Sequence, residues 1–169
     1  KLSFTVYSQN NSGIGGAKDL CTNNGIINLF DLLTSDPDSN GTWTGENGYS
    51  STDHLGVLDT SIASSGDYVY TILANGTCPS VITTVSLTVH DAPNPGSDQL
   101  VAPICNTLEA IDLLTLLDPL ADVGGVFIDV DNIGLLSGSI FTIKNLSAGI
   151  YNFEYQIQGN LSCALEKSI

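Results

Sequence analysis

The sequence predicts an all-β protein built of two tandem Greek-key β-sandwiches, each about 84 residues long and each stapled by one disulfide. Three observations predict this fold: landmarks recur along the 169 residues, apolar and polar residues mostly alternate, and four cysteines stand at matching intervals. Alternation with a period of two is typical of strands that bury one face. Several short strands with regular turn signals favour a sandwich.

The internal repeat is the strongest signal. Five landmarks recur in the same order at separations of 81 to 85 residues. Self-similarity at one period indicates a duplicated structural unit. The matching pairs are Cys21 with Cys105, Asp31-Leu32-Leu33 with Asp112-Leu113-Leu114, Gly41-Thr42-Trp43 with Gly125-Val126-Phe127, Gly66-Asp67-Tyr68 with Gly149-Ile150-Tyr151, and Cys78 with Cys163.

The ends of the chain are out of phase with this repeat. The segment Phe4-Thr5-Val6-Tyr7 matches Leu87-Thr88-Val89-His90, which closes the first repeat. We therefore expect residues 2–7 to lack a partner in the first complete repeat, and the second repeat to present an open sheet edge that favours end-to-end association. The predicted division is residues 1–8 as the last strand of a preceding repeat, 9–91 as repeat 1, and 92–169 as repeat 2 with an incomplete last strand.

Two local patterns refine the prediction. Asn75-Gly76 stands between two alternating runs and predicts a tight hairpin. In the range 108–117, leucine and isoleucine recur every three to four residues, which predicts one short helical turn after the first core strand.

The cysteine pattern predicts disulfides. Neither histidine lies near a cysteine and no C-x-x-C pair is present, which argues against zinc. Because each separation repeats within one predicted domain, we expect Cys21 to pair with Cys78 and Cys105 with Cys163. Disulfides persist in oxidising compartments, so we expect an extracellular or cell-surface location.

The charge excludes several classes of partner. Four Lys, no Arg and 18 acidic residues give a formal net charge of −14. Such a surface repels phosphate backbones and anionic lipid head groups, so we expect no nucleic-acid partner. No uncharged apolar run is long enough for a membrane span, so we expect no membrane insertion.

One loop has part of a calcium-binding pattern. Asp36, Asp38, Asn40 and Gly41 match the first half of the D-x-D-x-N-G loop. The twelfth position is Asn47 instead of glutamate, and Asp, Asn and Gly are also ordinary turn residues. We expect no cofactor, with calcium at this loop as the alternative.

The sequence offers little for catalysis. It has no G-x-S-x-G, H-E-x-x-H or G-x-x-x-x-G-K motif, and two histidines without any arginine leave few acid–base groups. Trp43 could stack on a carbohydrate, but its counterpart Phe127 indicates a core position instead. Tyr49, in a Gly/Ser-rich loop, is the better candidate for an exposed contact. We expect no enzymatic activity.

The motif Leu29-Phe30-Asp31-Leu32-Leu33, followed by Gly41-Thr42-Trp43-Thr44-Gly45 and by Ser65-Gly66-Asp67-Tyr68-Val69-Tyr70, resembles the tandem immunoglobulin-like repeats of very large secreted surface proteins of Bacteroidota. Many of those proteins are gliding-motility adhesins exported by type IX secretion. The resemblance implies an immunoglobulin-like sandwich with a tyrosine corner at Tyr68 and Tyr151. It also implies that Tyr70 and Phe153 occupy the position of the second antibody cysteine.

Two functions follow from these patterns. The first is a non-catalytic structural or adhesive repeat segment of a long cell-surface or secreted protein, an adhesin or stalk with a possible role in gliding motility. Its partners would be neighbouring repeats of the same chain and an extracellular surface, glycan or protein ligand. The alternative is an accessory binding module of a secreted polysaccharide-degrading enzyme.

Overall fold

The computed structural model describes residues 1–160 and 163–169, and these residues form strands, turns and short 3-10 helices without any α-helix. The predicted all-β fold is confirmed.

Contacts divide the chain into two compact units, Lys1–Asp91 and Ala92–Ile169. The strands are β1 (Ala17–Cys21), β2 (Ile26–Asn28), β3 (Thr42–Thr44), β4 (Ser50–Ser51), β5 (Val57–Asp59), β6 (Gly66–Ile72), β7 (Val81–His90), β8 (Ala110–Asp112), β9 (Val126–Asp129), β10 (Leu136–Ser137), β11 (Ile140–Thr142), β12 (Phe153–Ile157) and β13 (Glu166–Ser168).

Unit 1 contains a five-stranded sheet in the order β1-β7-β6-β3-β4 and a two-stranded sheet of β2 and β5. The ten-residue β7 pairs antiparallel with β6 along its first part and parallel with β1 along its second part. Alternation on β6 points Tyr68, Tyr70 and Ile72 into the core. These side chains pack with Trp43 and with Leu58 of the smaller sheet, so both sheets enclose one core.

Unit 2 repeats this plan. Its sheets are β13-β12-β9 and β10-β11-β8. The β9–β12–β13 ladder corresponds to β3–β6–β7, and the β8–β11 pair corresponds to β2–β5. β13 has three residues where β7 has ten, and residues 101–105, which match β1 in the repeat, form no strand.

Both local predictions are confirmed. Each unit has a one-turn 3-10 helix directly after its first smaller-sheet strand, Leu29–Leu32 in unit 1 and Leu113–Leu116 in unit 2. Asn75 and Cys78 exchange two backbone hydrogen bonds of 3.1 and 3.0 Å across a two-residue turn. Gly76 has a φ of +59°, a conformation that glycine adopts without steric cost.

A buried tyrosine joins the larger sheet of unit 1 to a loop. The Tyr70 hydroxyl accepts the Gly41 amide at 2.9 Å and donates to the Asp38 carbonyl at 2.7 Å. A Cβ on Gly41 would lie 2.4 Å from the Tyr70 ring, so the close approach requires glycine. The ring also packs against Trp43, with centroids 4.9 Å apart.

Tyr155 makes the same contacts in unit 2. Its hydroxyl accepts the Gly125 amide at 2.8 Å and donates to the Asp122 carbonyl at 2.9 Å, and its ring lies 4.9 Å from that of Phe127. Tyr155, and not Phe153, is therefore the counterpart of Tyr70, so the equivalence read from the sequence was wrong by two residues. A two-residue shift keeps every side chain on the same face of the strand, and the alternation pattern does not reveal it.

The tyrosine-corner hydrogen bond is present in both units. The Tyr68 hydroxyl donates to the Ser64 carbonyl at 3.0 Å, and the Tyr151 hydroxyl donates to the Ser147 carbonyl at 2.7 Å. In each case the acceptor lies four residues upstream of the tyrosine.

The predicted disulfide pairing is wrong. Cys78 and Cys105 are free thiols, whereas Cys21 and Cys163 are disulfide-bonded, so neither predicted pair forms. Cys21 lies opposite His90 at the far end of β7, whereas Cys78 lies just before its first residue. At about 3.3 Å per residue, ten residues separate the two cysteines by about 30 Å. A disulfide needs Cα atoms about 4.4 to 6.8 Å apart.

We predict that Tyr70→Phe lowers the free energy of unfolding by about 1 to 3 kcal/mol, because the buried Gly41 amide loses its acceptor. Urea unfolding followed by the fluorescence of the single tryptophan, Trp43, measures the change in unit 1. Tyr49→Phe is the control, since that hydroxyl bonds a carbonyl in an exposed setting. Equal losses for both variants would contradict a role of the buried hydroxyl.

Candidate functional site

The calcium-like loop is held by the protein's own hydrogen bonds. The Asp38 carboxylate accepts the Asn11 amide at 2.8 Å, and the Asp38 carbonyl accepts the Tyr70 hydroxyl. The Asn11 side chain donates to the carbonyls of Ser35 and Asp36 at 2.6 and 2.9 Å. A calcium ion would compete with these bonds for the same oxygens.

We call these hydrogen bonds between Asn11 and the Asp38 loop the asparagine–aspartate clasp. The same clasp is present in unit 2. The Asp122 carboxylate accepts the Asn94 amide at 2.8 Å, and the Asn94 side chain donates to the Leu120 carbonyl at 2.8 Å. The clasp connects the incoming segment of each unit to the loop that also receives the buried tyrosine. Its recurrence indicates a structural role for Asp38 that needs no metal. Within residues 1–160 and 163–169, no group of three or more His, Cys, Asp or Glu side chains is arranged to hold a metal ion.

The aromatic candidates lie in or against the core. Trp43 is 1% exposed and its Nε1 donates to the His54 carbonyl at 2.7 Å, so it cannot stack on a glycan. Tyr49 is half-buried: its ring packs edge-on against Tyr68 and its hydroxyl donates to the Val57 carbonyl. Tyr49 is therefore partly exposed, with one face of its ring packed on the sheet.

Two free thiols lie outside the cores. Cys78 is half-buried in the tight turn, and its Sγ lies 3.8 Å from the Tyr7 carbonyl. The Tyr7 ring packs on the same turn, where a Cβ on Gly76 would lie 2.5 Å from it. Cys105 is exposed, and hydrogen bonds from the Thr107 hydroxyl and amide hold the pKa of its thiol below the usual value. A lowered pKa raises the fraction of reactive thiolate near neutral pH.

Residues 100–105 of unit 2 match residues 16–21 of unit 1, which include β1. In unit 1 the matching β1 is covered by the second half of β7, and Leu20 is 4% exposed. Its counterpart Ile104 is 42% exposed, and Leu100 is 96% exposed. The two matching segments therefore differ in burial.

The start of unit 1 carries exposed apolar side chains. The leading segment, residues 2–7, has no regular secondary structure, yet it carries an alternating apolar pattern. Leu2, Phe4 and Val6 are 92%, 84% and 79% exposed. Their counterparts on β7 include Val85 and Leu87, which are 1% and 3% exposed. The leading segment therefore has the apolar pattern of a buried strand, but its apolar side chains are exposed.

No protein-family model matches the chain, and no curated protein matches it significantly. Among the described residues, no helix is both long enough and apolar enough to cross a bilayer. The candidate features thus rest on the geometry alone.

We predict that removing divalent cations with a chelator leaves the melting temperature unchanged, because protein donors already use the oxygens of the Asp36–Gly41 loop. Asn11→Ala should instead destabilise unit 1 by about 1 kcal/mol, since it removes the side-chain half of the clasp. Calorimetry with and without chelator checks both statements. A large drop on chelation that calcium restores would show a bound metal.

We predict that Thr107→Ala slows alkylation of Cys105 near neutral pH. Removing the hydroxyl raises the thiol pKa, so less thiolate is present until the pH exceeds that higher pKa. The difference should vanish at strongly alkaline pH, where the thiol is fully ionised in both proteins. Alkylation of Cys78 in the same sample, quantified by mass spectrometry, is the internal control.

Proposed function

We propose that the chain is a non-catalytic structural or adhesive repeat segment of a cell-surface or secreted protein. The observation that carries this proposal is the duplication of one structural plan: both units contain the buried tyrosine, its glycine, and the asparagine–aspartate clasp. Units of this kind placed in series extend a chain in proportion to their number. The resemblance to immunoglobulin-like repeats of Bacteroidota surface proteins supports an adhesin, with gliding motility and type IX secretion as its context.

The clasp suits a serial arrangement. Asn11 and Asn94 both lie in the segment that enters a unit, and each is bonded to a loop of the unit that follows it in sequence. Each entry is thereby fixed to its own unit by side-chain and backbone hydrogen bonds. Segment 92–96 also contains Pro93 and Pro95, which restrict the backbone more than a Gly/Ser linker does.

The disulfide and the charge support an extracellular setting. A disulfide is stable outside the reducing cytoplasm. The formal net charge of −14 keeps neighbouring copies soluble at high density and disfavours non-specific binding to nucleic acid.

The accessory-module alternative requires a surface for glycan stacking. Most such modules present aromatic rings to the sugar face, and here Trp43, Tyr68, Tyr70 and Tyr155 are each at most 1% exposed. Among the described residues, the exposed aromatic ones are Phe4 and Tyr7, both in the leading segment. Aromatic placement therefore favours the structural or adhesive function.

The function is tested on cells of the organism that makes the protein. Antibodies raised against the 169-residue chain should label intact cells or their secreted material, and their Fab fragments should reduce attachment of the cells to a surface. An antibody to a cytoplasmic protein is the control for cell integrity. Labelling that requires permeabilisation would contradict the proposal.

We predict that insoluble cellulose, chitin and xylan retain the chain no more than they retain a control protein of similar charge. Sedimentation with each polysaccharide measures this directly. Retention that Tyr7→Ala abolishes, while Tyr49→Phe leaves it intact, would favour the accessory-module alternative.

A further inference from the structure

We propose that unit 2 binds a small, uncharged aromatic molecule with one hydrogen-bond donor, of the indole class, in a cavity of about 330 Å³. The cavity lies where β9, the 3-10 helix Leu113–Leu116 and the turn between β10 and β11 meet. This inference goes beyond the structural or adhesive function and does not depend on it. The cavity walls include Leu114, Val126, Phe127, Leu136, Gly138 and Ser139.

Backbone hydrogen bonds identify the matching place in unit 1. The Leu29 amide donates to the Gly56 carbonyl at 3.1 Å, and the Leu113 amide donates to the Ser139 carbonyl at 2.9 Å. Both 3-10 helices begin at these leucines. This alignment differs by three residues from the Asp-Leu-Leu landmark of the sequence. The counterparts around the cavity are Phe30 with Leu114, His54 with Ser137, Leu55 with Gly138, and Gly56 with Ser139.

Aromatic rings fill this place in unit 1. The Phe30 ring packs edge-on against His54, with centroids 5.0 Å apart, and against Tyr70 at 5.7 Å. Trp43 donates from Nε1 to the His54 carbonyl at 2.7 Å and is 1% exposed. Its indole reaches the turn before β5, because a Cβ on Gly56 would lie 2.5 Å from the ring. These rings close one side of the unit 1 core.

Unit 2 has smaller side chains at the same positions. Phe127 replaces Trp43 on the strand, and it is partly exposed where the tryptophan is buried. Leu114, in place of a phenylalanine ring, is 47% exposed. Protein interiors leave few voids larger than a water molecule, so removal of several rings from one place leaves a cavity. The remaining replacements are serine for His54 and glycine for Leu55.

The cavity walls suit an aromatic ligand. Phe127 offers a ring for stacked or edge-on contact, and Leu114 and Leu136 offer apolar contact. Engineered cavities of about 150 Å³ with comparable walls bind benzene, so this larger cavity admits a bicyclic ring.

One polar group in the wall explains the hydrogen-bond donor of the ligand. A Cβ on Gly56 would lie 2.7 Å from the Trp43 Nε1, and Ser139 is the residue at that position in unit 2. Its hydroxyl therefore lies beside the place that an indole N–H occupies in unit 1. A serine hydroxyl has two lone pairs that can accept such an N–H.

Charge and polarity exclude other ligand classes. The formal net charge of −14 repels anions, and no basic side chain lines the cavity. A sugar would lose water from several hydroxyl groups, and the mostly apolar walls would return few hydrogen bonds. The ligand is therefore an uncharged aromatic molecule and not a glycan.

The first test is a titration of the full chain with indole, followed by NMR of the methyl groups. The Leu114, Val126 and Leu136 methyl signals should shift and saturate, with a dissociation constant on the order of 1 mM or lower. Nuclear Overhauser effects should connect indole protons to the same methyl groups, and indole-3-carboxylate should bind more weakly. Shifts that never saturate, or Overhauser effects only to exposed unit 1 methyl groups such as those of Ile62, would overturn the proposal.

The second test fills the cavity with the side chains of unit 1. Leu114→Phe should weaken indole binding about tenfold or more, since the new ring occupies the site. Leu108→Phe is the matched control, because Leu108 is 51% exposed and lies outside the cavity walls, and it should leave the affinity unchanged. Phe127→Trp combined with Ser139→Gly recreates the unit 1 pair and should abolish binding. Unchanged affinity in Leu114→Phe or in the double variant would contradict binding in this cavity.

Discussion

The two-sided pairing of β7 is the constraint on which the rest of unit 1 depends. One edge of this strand completes the ladder with β6, and the other edge provides the only partner of β1 in the described sheet. Because the two partners use successive parts of a ten-residue strand, β7 covers the core and determines the path of the entering chain. Burial of Leu20, which lies opposite Val89, follows from that arrangement.

Unit 2 keeps the tyrosine contact of unit 1 on its own three-stranded ladder. The ladder of β9, β12 and β13 keeps its register, and Tyr155 stays 1% exposed between Phe127 and the Asp122 loop. The buried tyrosine and its glycine are therefore a local device that needs only two strands and one loop. The pairing of β1 with β7 is not local, because the two strands lie far apart in sequence.

The tyrosine contact and the asparagine–aspartate hydrogen bonds lie within each unit, so each unit is a repeatable part. A strongly acidic surface disfavours non-specific contacts between such parts.

Much of the fold could be predicted from the sequence because the relevant information is local. Alternation, turn residues and the internal repeat determined the strands, the Asn75–Gly76 turn, the short helical turns and the core position of Trp43. Tertiary structure decided the rest. Cysteine spacing suggested Cys21–Cys78, but a strand about 30 Å long separates those two residues, and spacing carries no information on direction. The counterpart of Tyr70 was also ambiguous, since a shift of two residues preserves the face of a strand, and only the hydrogen bonds to Gly125 and Asp122 distinguish Tyr155 from Phe153.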